Sequence, residues 1–197
     1  MEALQTLLNN CAISFDLPIL EWIQANLQSG FLDKLMPINT AFGNGGIFWI
    51  ACAVILLFIP KYRKLGLGMG FAMAMGLLLC NITLKPLVGR IRPYDYQWEV
   101  FQKEIPLLVA RMHDFSFPSG HTIASFEACT VLMLGDKKLG IPATILAILI
   151  AFSRLYLYVH YPTDVIVSIV LGTALGLLGY WLAQKTKIPT RKGKYQK

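Results

Sequence analysis

Three short segments of the sequence carry histidines, an aspartate and cations whose residue types suit chemistry on a phosphoryl group. They read KPLVGRIRP from Lys85, PSGH ending at His121, and SRLYLYVHYPTD over 153–164. A neutral imidazole such as that of His160 can act as a nucleophile. The carboxylate of Asp164, four residues later, can fix its tautomer and stabilise the cation that develops. Pro162 suits the first turn of a helix and would bring these two side chains together.

The other polar residues of these segments suit binding and protonation of the same group. The long cationic side chains are those of Lys85, Arg92 and Arg154, and such cations clamp phosphoryl oxygens. Ser119 and Gly120 directly precede an apolar helical run, where the backbone N–H groups at a helix start favour an anion. His121 can protonate the leaving oxygen as a general acid.

Composition places these segments in a membrane protein rather than a soluble enzyme. Of the 197 residues, 55% are hydrophobic and 15% are charged, whereas soluble domains carry about 25% charged residues. Apolar runs cover 35–60, 65–84, 119–135, 139–153 and 165–184, and Glu127 is the single charged residue within them. A bilayer span takes about 20 helical residues, and helices satisfy their own backbone in lipid. We therefore expect an all-α, polytopic membrane helix bundle with five clear transmembrane helices.

The N-terminal region leaves two interpretations open. The apolar Leu20, Ile23 and Leu27 recur at helical spacing among mostly polar residues, which indicates an amphipathic helix. This helix either lies in the membrane interface or forms part of a sixth span over 13–36. No internal repeat or linker divides the sequence, so the whole chain (1–197) is predicted to be one domain.

Charge placement orients the predicted bundle, whose formal net charge is +7. Basic residues cluster at Lys61, Arg63 and Lys64, at Lys137 and Lys138, and in the tail 185–197. By alternation of the spans these clusters lie on one side, and their positive charge predicts that this side, with the C-terminus, is cytoplasmic. Two crossings separate Lys85 from Arg154. The three chemical segments should therefore emerge together on the extracytoplasmic face.

The motifs K-x6-RP, PSGH and SR-x5-H-x3-D, in this order, resemble those of the type 2 phosphatidic acid phosphatase (PAP2) superfamily over a motif core of 85–164. The resemblance implies a six-helix membrane core with a site at the extracytoplasmic surface. It implies that His160 is a nucleophile that forms a phosphohistidine, that Asp164 orients it, and that His121 is the acid for the leaving group. The phosphate ligands that it implies are Lys85, Arg92, Ser119, Gly120 and Arg154. No metal ion or other cofactor is expected, since the cationic side chains take that part.

The function that this resemblance implies is that of an integral-membrane lipid phosphatase in a bacterial plasma membrane. Small family members resemble this chain and point to hydrolysis of undecaprenyl diphosphate to undecaprenyl phosphate, although some carry Asp where this chain has Gly120. Phosphatidylglycerophosphate and phosphatidate are alternative substrates, and a lipid phosphotransferase would use the same site. A transporter is disfavoured because the cations cluster at one boundary and no repeat is visible. The expected partners are the lipid substrate and the bilayer, with no nucleic acid, and the oligomeric state is left open.

Further expectations concern residues outside the motif roles. Arg90 is expected to contact either a second phosphate or the headgroup region. Glu127 lies about 240° around the helix from His121 and should point away from the site as a structural residue. The 94–117 segment is expected to carry a short helix over 97–109 and to form a lid. A belt of aromatic residues is expected at the outer membrane boundary. Its members are Tyr94, Tyr96, Trp98, Tyr156, Tyr158 and Tyr161.

Overall fold

A computed structural model describes the backbone of residues 2–188 and the side chains of residues 6–188. Within this range the chain is helical and contains no β-strand, which confirms the expected all-α class. Most of the basic tail that was predicted to be cytoplasmic, from position 189 on, lies outside the described residues.

Ten α-helices follow one another along the described part of the chain. The N-terminal segment consists of α1 (Glu2–Cys11) and α2 (Leu17–Leu27), joined by a π-helical turn over Ala12–Asp16. Next come α3 (Gly30–Ala41), a 3-10 turn (Asn44–Gly46), α4 (Ile47–Phe58) and α5 (Arg63–Gly76). A π-helical segment (Leu77–Leu84) leads from α5 into α6 (Lys85–Val88), and α7 (Pro93–Phe101) follows. The last three helices are α8 (Gly120–Gly135), α9 (Lys137–Tyr156) and α10 (Pro162–Lys185).

Three helical stretches of the described chain are long and apolar enough to cross a membrane. They are Arg63–Phe101, Lys137–Tyr156 and Pro162–Lys185. The bent pair Gly30–Ala41 and Asn44–Phe58 adds a fourth if it forms one span. Helix α8, at the third predicted run, has 16 residues. The structure therefore supports a multi-pass membrane protein with three or four candidate spans, where the sequence predicted five.

Helices α8, α9 and α10 bring the motifs to one end of the bundle. Helix α8 packs against α5, α9 and α10, and α9 returns the chain so that α8 and α10 begin at the same end. A Cβ added at Gly172 would lie 2.8 Å from the carbonyl oxygen of Ile123, and one at Gly176 would lie 2.8 Å from that of Glu127. Close contact over small residues is typical of packed membrane helices. It holds the starts of α8 and α10 side by side.

Helix α2 covers a cluster of buried tyrosines at this end of the bundle. Leu20 and Ile23 are buried, as the amphipathic pattern predicts, and they pack in the same hydrophobic cluster as the tyrosines. The cluster contains Tyr94, Tyr96, Tyr156, Tyr158 and Tyr161. The predicted aromatic belt is therefore wrong for these five residues, because packing against α2 encloses their rings. Trp98, the sixth, has 49% of its surface exposed.

The helix predicted over 97–109 is present only as far as Phe101 and is wrong for 102–109. Helix α7 ends at Phe101 because Gln102 adopts the left-handed conformation, with a φ of 53°. The N–H group of Gln102 donates to the carbonyl oxygen of Trp98, and that of Lys103 donates to the carbonyl oxygen of Gln97, both at 3.1 Å, which closes the last turn. The chain then runs without a helix until α8 begins.

Candidate active site

The motif residues meet in a cavity of about 370 Å³ at the end of the bundle where α8 and α10 begin. Its polar wall contains Lys85, Arg92, Gly120, His121 and His160. Its apolar part is lined by Ile50, Met73 and Leu77 of α4, α5 and the π-helical segment. Residues from distant parts of the sequence thus form one site with a charged end and an apolar end.

The tautomer of His160 follows from its neighbours. Its Nε2 atom lies 3.3 Å from Nη1 of Arg92, and a guanidinium can only donate a hydrogen bond. Nε2 therefore holds a lone pair and Nδ1 carries the hydrogen. Nδ1 lies 3.5 Å from Oδ2 of Asp164 and 3.4 Å from Oγ of Ser116. This is the tautomer in which Nε2 can act as a nucleophile.

The surroundings of His160 also keep its imidazole uncharged. Burial lowers the pKa of His160 well below its usual value of 6.5, and the positive charges of Arg92 and Arg154 lower it further. Only a neutral imidazole can attack an electrophile. The electrostatics of the site therefore favour the attacking form of His160 at neutral pH.

The carboxylate of Asp164 accepts hydrogen bonds on both oxygens. Oδ2 accepts from the Ser116 hydroxyl and, at 3.1 Å, from the backbone N–H of Tyr161. Oδ1 accepts from Nη1 of Arg90 at 2.6 Å. Pro162 stands in the first turn of α10, as expected, and Asp164 lies in that same turn. The carboxylate is thus held on several sides, facing the imidazole that it would orient.

Arg90 contacts two buried carboxylates, which corrects both roles expected for it at a second phosphate or in the headgroup region. The residue is 4% exposed, and its Nη2 lies 2.7 Å from Oδ2 of Asp16. Its guanidinium also lies 3.7 Å from the centre of the Tyr161 ring. Asp16 accepts further hydrogen bonds from the N–H and hydroxyl of Thr163, at 2.9 and 2.8 Å. Two buried carboxylates explain why this cation is buried too, and Arg90 links the N-terminal segment to Asp164.

His121 faces the cavity and bonds to Asn44 of the turn before α4. Its Nε2 lies 2.8 Å from Oδ1 of Asn44, so Nε2 is the protonated nitrogen if the amide oxygen accepts. Gly43 makes room for the ring, because a Cβ there would lie 2.5 Å from Cδ2 of His121. To act as a general acid the ring must be the imidazolium, with a proton on both nitrogens, and the bond to Asn44 positions the Nε2–H of that form.

Arg154 lies behind the cavity wall and is fully buried. Its Nη1 donates to Oγ1 of Thr40 at 2.5 Å, and its Nη2 lies 3.3 Å from Sδ of Met112. Its Nε has no hydrogen-bond partner among the described residues. Its charge nevertheless reaches the site, since it lowers the pKa of His160.

Ser119 and Gly120 differ in their access to the cavity. Ser119 is fully buried, and its backbone N–H donates to Oγ of Ser168 at 2.8 Å. Its hydroxyl accepts from Oγ1 of Thr122 at 3.0 Å and keeps its own hydrogen for another acceptor. Gly120 lies on the cavity wall opposite Asn81. Of the two residues, Gly120 is the one that a bound anion would meet directly.

Asp114 binds both of the cations that line the cavity. Its carboxylate forms ion pairs with Nζ of Lys85 and, at 2.6 Å, with Nη2 of Arg92. Burial alone would raise the pKa of Asp114. The hydrogen bond from Lys85 and the charge of Arg92 outweigh it and hold this pKa well below its usual value of 3.8. Asp114 is therefore an anion between two of the predicted phosphate ligands.

Glu127 lines the deeper part of the same cavity, which corrects the expectation that it points away from the site. Its side chain is fully buried, and Oε1 has no hydrogen-bond partner among the described residues. Gly76 of α5 leaves the space for its carboxyl group, because a Cβ there would overlap it. The angular estimate fails because the cavity extends along α8 between the helices, rather than staying at the end of α8.

Several residues of the site carry no signal in the sequence motifs. Asn44 and Asp16 reach the site from segments far from the motifs. Asp114 and Ser116 stand a few residues before PSGH, and Arg90 lies inside K-x6-RP. For these last three residues, nearness to a motif is the only indication in the sequence.

Comparison with known proteins agrees with this geometry. The family model described as the PAP2 superfamily matches residues 65–188, more than half of the chain. The undecaprenyl-diphosphatase of Sulfolobus acidocaldarius is 30% identical over 167 residues, which cover 84% of this chain and 77% of that protein. The lipid A 4'-phosphatase of Bacteroides thetaiotaomicron is 30% identical over 168 residues, which cover 81% of this chain and 73% of that protein.

A solved structure has a similar fold. The crystal structure of the PAP2 type phosphatidylglycerolphosphate phosphatase from Bacillus subtilis matches with a TM-score of 0.72 and 28% sequence identity. The match covers 90% of this chain and 89% of that chain. The similarity therefore extends over most of both chains.

Proposed function

The chain belongs to the PAP2 superfamily and is a membrane lipid phosphatase, and we propose that it hydrolyses undecaprenyl diphosphate to undecaprenyl phosphate through a phosphohistidine. One relationship carries this proposal. Nε2 of His160 lies 3.3 Å from Arg92, which leaves it unprotonated, while Nδ1 faces Asp164 at 3.5 Å. A buried neutral imidazole with an orienting carboxylate and adjacent cations suits attack on phosphorus.

In the proposed first step, the lone pair on Nε2 of His160 attacks the terminal phosphorus. The bond from phosphorus to the bridging oxygen breaks, and His121, in its imidazolium form, gives that oxygen a proton and becomes neutral. Asp164 stabilises the positive charge that forms on the phosphorylated imidazole. The proposed phosphate ligands are the cations Lys85, Arg92 and Arg154, which balance the negative charge of the transferred group, and Ser119 and Gly120, which donate hydrogen bonds to it.

In the proposed second step, water attacks the phosphohistidine. The bond between Nε2 of His160 and phosphorus breaks, and the proton lost by water passes to His121. Inorganic phosphate leaves, and both histidines return to their starting states. These two reaction steps require no metal ion, so chelators should leave the activity intact.

The choice of lipid rests on the relatives and on the cavity. The similar protein of Sulfolobus acidocaldarius is named for undecaprenyl diphosphate, and the apolar part of the cavity suits the first units of a long tail that stays in the bilayer. Phosphatidylglycerophosphate is the second candidate substrate. It is favoured by the structural match to the phosphatase of Bacillus subtilis that is named for this lipid.

We also propose that the site faces the extracytoplasmic side of a bacterial plasma membrane, with the C-terminus in the cytoplasm. The basic segments meet at the opposite end of the bundle, where Lys61 pairs with Asp136 at 3.5 Å and Lys64 donates to the carbonyl oxygen of Gln184 at 3.0 Å. Positive charge of this kind favours the cytoplasmic side. In this orientation α8 completes five spans, and the N-terminal helices lie in the outer interface, where Asp16 reaches Arg90.

The proposal is tested by phosphate release from the purified protein in detergent with EDTA present. The substrates are undecaprenyl diphosphate, phosphatidylglycerophosphate and phosphatidate, and lipid alcohols serve as alternative acceptors to detect a transferase. We expect the fastest release from undecaprenyl diphosphate and none from His160→Ala. Full activity in that variant would contradict the proposed mechanism, and faster turnover of another lipid would contradict the proposed substrate.

A further inference from the structure

The two cations that line the cavity already hold an anion that belongs to the protein. Lys85 and Arg92, here called the cationic pair, both bind the carboxylate of Asp114, each through a different oxygen. A carboxylate that bridges two cations imitates two oxygens of a phosphoryl group in charge and in geometry. Any phosphate that binds the same pair must therefore replace Asp114.

The surroundings of Asp114 allow its side chain to leave without unfolding the site. The side chain is 54% exposed, whereas those of Lys85 and Arg92 are 13% and 2% exposed. The backbone stays in place, because Nε of Arg92 donates to the carbonyl oxygen of Asp114 at 2.9 Å. Nearby, the N–H of Ser116 donates to the carbonyl oxygen of Arg90 at 2.7 Å. A rotation of one exposed side chain towards solvent is thus enough to free the cationic pair.

We propose that Asp114 is a built-in competitor for the phosphate site, which holds the cationic pair between turnovers and returns to it when inorganic phosphate leaves. The proposal rests on the proposed function, since it takes Lys85 and Arg92 as the phosphate ligands. It adds no bond-making step: the carboxylate and the phosphate exchange places on the same donors. Asp114 is a positioning residue in this account, because it acts on the reaction through the cationic pair.

The expected effect follows from charge. With Asp114 present, one of the two positive charges of the cationic pair is balanced, and a bound phosphate must also tolerate the displaced carboxylate nearby. In Asp114→Asn no carboxylate balances the charge of the cationic pair, so the pair is free to bind another anion. Inorganic phosphate should then bind about 10- to 100-fold more tightly, as expected when a competitor with two charge-assisted hydrogen bonds is removed. Product release should slow, so both KM and kcat should fall.

The experiment measures the dissociation constant of inorganic phosphate directly, by calorimetric titration of the purified full chain in detergent. The proteins are the wild type, Asp114→Asn, Asp114→Ser and the control Asp95→Asn. Asp95 pairs with Arg111 on the surface of the same region, outside the cavity. Its substitution removes an equal charge without touching the cationic pair. The second neutral variant at position 114 keeps the test valid if the first does not fold.

The outcomes separate this inference from the proposed function. Tighter phosphate binding in the neutral variants at position 114, with wild-type binding in Asp95→Asn, supports the proposal that Asp114 competes with phosphate. Equal or weaker binding in those variants, while the wild type binds phosphate, overturns the competitor and leaves the phosphatase proposal intact. If neither the wild type nor the variants bind phosphate, the cationic pair is not a phosphate site, and both proposals fail. A loss of turnover in Asp114→Asn without tighter phosphate binding would also overturn the competitor.

Discussion

Nη1 of Arg90 lies 2.6 Å from Oδ1 of Asp164, so the carboxylate that faces the proposed nucleophile, His160, is itself held by a buried cation. The other side of the same guanidinium lies 2.7 Å from Asp16 in the N-terminal segment. The N-terminal segment, which precedes the family motifs, thus contacts the cation that holds Asp164. It does so without lining the cavity.

The first prediction concerns this ion-pair network. Arg90→Lys keeps the charge but cannot donate to both carboxylates in the same geometry. We expect kcat to fall by about 10- to 100-fold with KM changed by less than about threefold, because an interaction that orients the nucleophile is lost rather than one that binds substrate. Steady-state kinetics on the purified variant provides the measurement.

A matched control uses a cation of the same region outside the site. Lys103 pairs with Glu21, and both side chains are about half exposed. Such exposed pairs contribute roughly 0–1 kcal/mol, so Lys103→Ala should keep its kcat. Equal losses in Lys103→Ala and Arg90→Lys would show that the effect is not specific to Asp164.

The second prediction concerns the Ser116 hydroxyl, which contacts both Asp164 and His160. Ser116 donates to Asp164 and lies 3.4 Å from Nδ1 of His160. Ser116→Ala removes a hydrogen bond to a charged group, worth about 1.5–3 kcal/mol. We expect kcat to fall by roughly tenfold or more, while Ser14→Ala, at an exposed serine, leaves kcat unchanged. A wild-type kcat in Ser116→Ala would show that the Ser116 hydroxyl does not contribute to turnover.

The third prediction concerns the ionisation of the nucleophile. Because burial and two arginines hold the pKa of His160 well below 6.5, the folded imidazole stays neutral as the pH falls through 6.5, whereas in the unfolded chain it takes up a proton there. Nitrogen NMR of histidine-labelled protein should show a neutral ring, protonated at Nδ1, at about pH 5.5. The chain has 3 histidines, and His160→Asn identifies the signal. A charged His160 ring at that pH would count against the assigned tautomer.

The fourth prediction concerns the buried carboxyl group deep in the cavity. A Cβ at Gly76 would overlap Glu127, so Gly76→Ala should lower the stability by about 1–3 kcal/mol, as overpacking does. Gly70→Ala lies on the same helix with nothing within 4 Å of the added Cβ. It should be neutral or more stable by up to about 1 kcal/mol. Unfolding in detergent compares the two variants, and equal stabilities would show that Gly76 does not make room for Glu127.

The sequence predicted what local spacing and hydropathy determine. His160 and Asp164 are separated by a short turn into a helix that starts with proline, and this local geometry alone brings them together. The apolar runs predicted the all-α class and the positions of α4, α5, α8, α9 and α10. The crossings between Lys85 and Arg154 predicted correctly that both residues lie at the same end of the bundle.

Most of the sequence-based predictions that the structure corrects concern residues whose contacts lie in distant segments of the chain. Tyr156 and Tyr158 have the composition of an aromatic belt, but α2 packs over them, and nothing in their own spacing indicates that cover. Arg90 resembles a headgroup contact until Asp16 is placed beside it. Asp114 falls in a loop without a motif, and only the folded chain brings it to Lys85 and Arg92. Tertiary packing decides each of these positions, and local pattern does not encode it.

In the proposed mechanism His160 carries the phosphoryl group between the lipid and water. Undecaprenyl diphosphate labelled with ³²P in its terminal phosphate is mixed with excess enzyme in EDTA and quenched with alkali after a single turnover. We expect transient label on the protein that is stable to alkali, lost in acid, mapped to the peptide containing His160, and missing from His160→Asn. Label on another residue, label that persists in the variant, or turnover with no labelled protein at any time would contradict it.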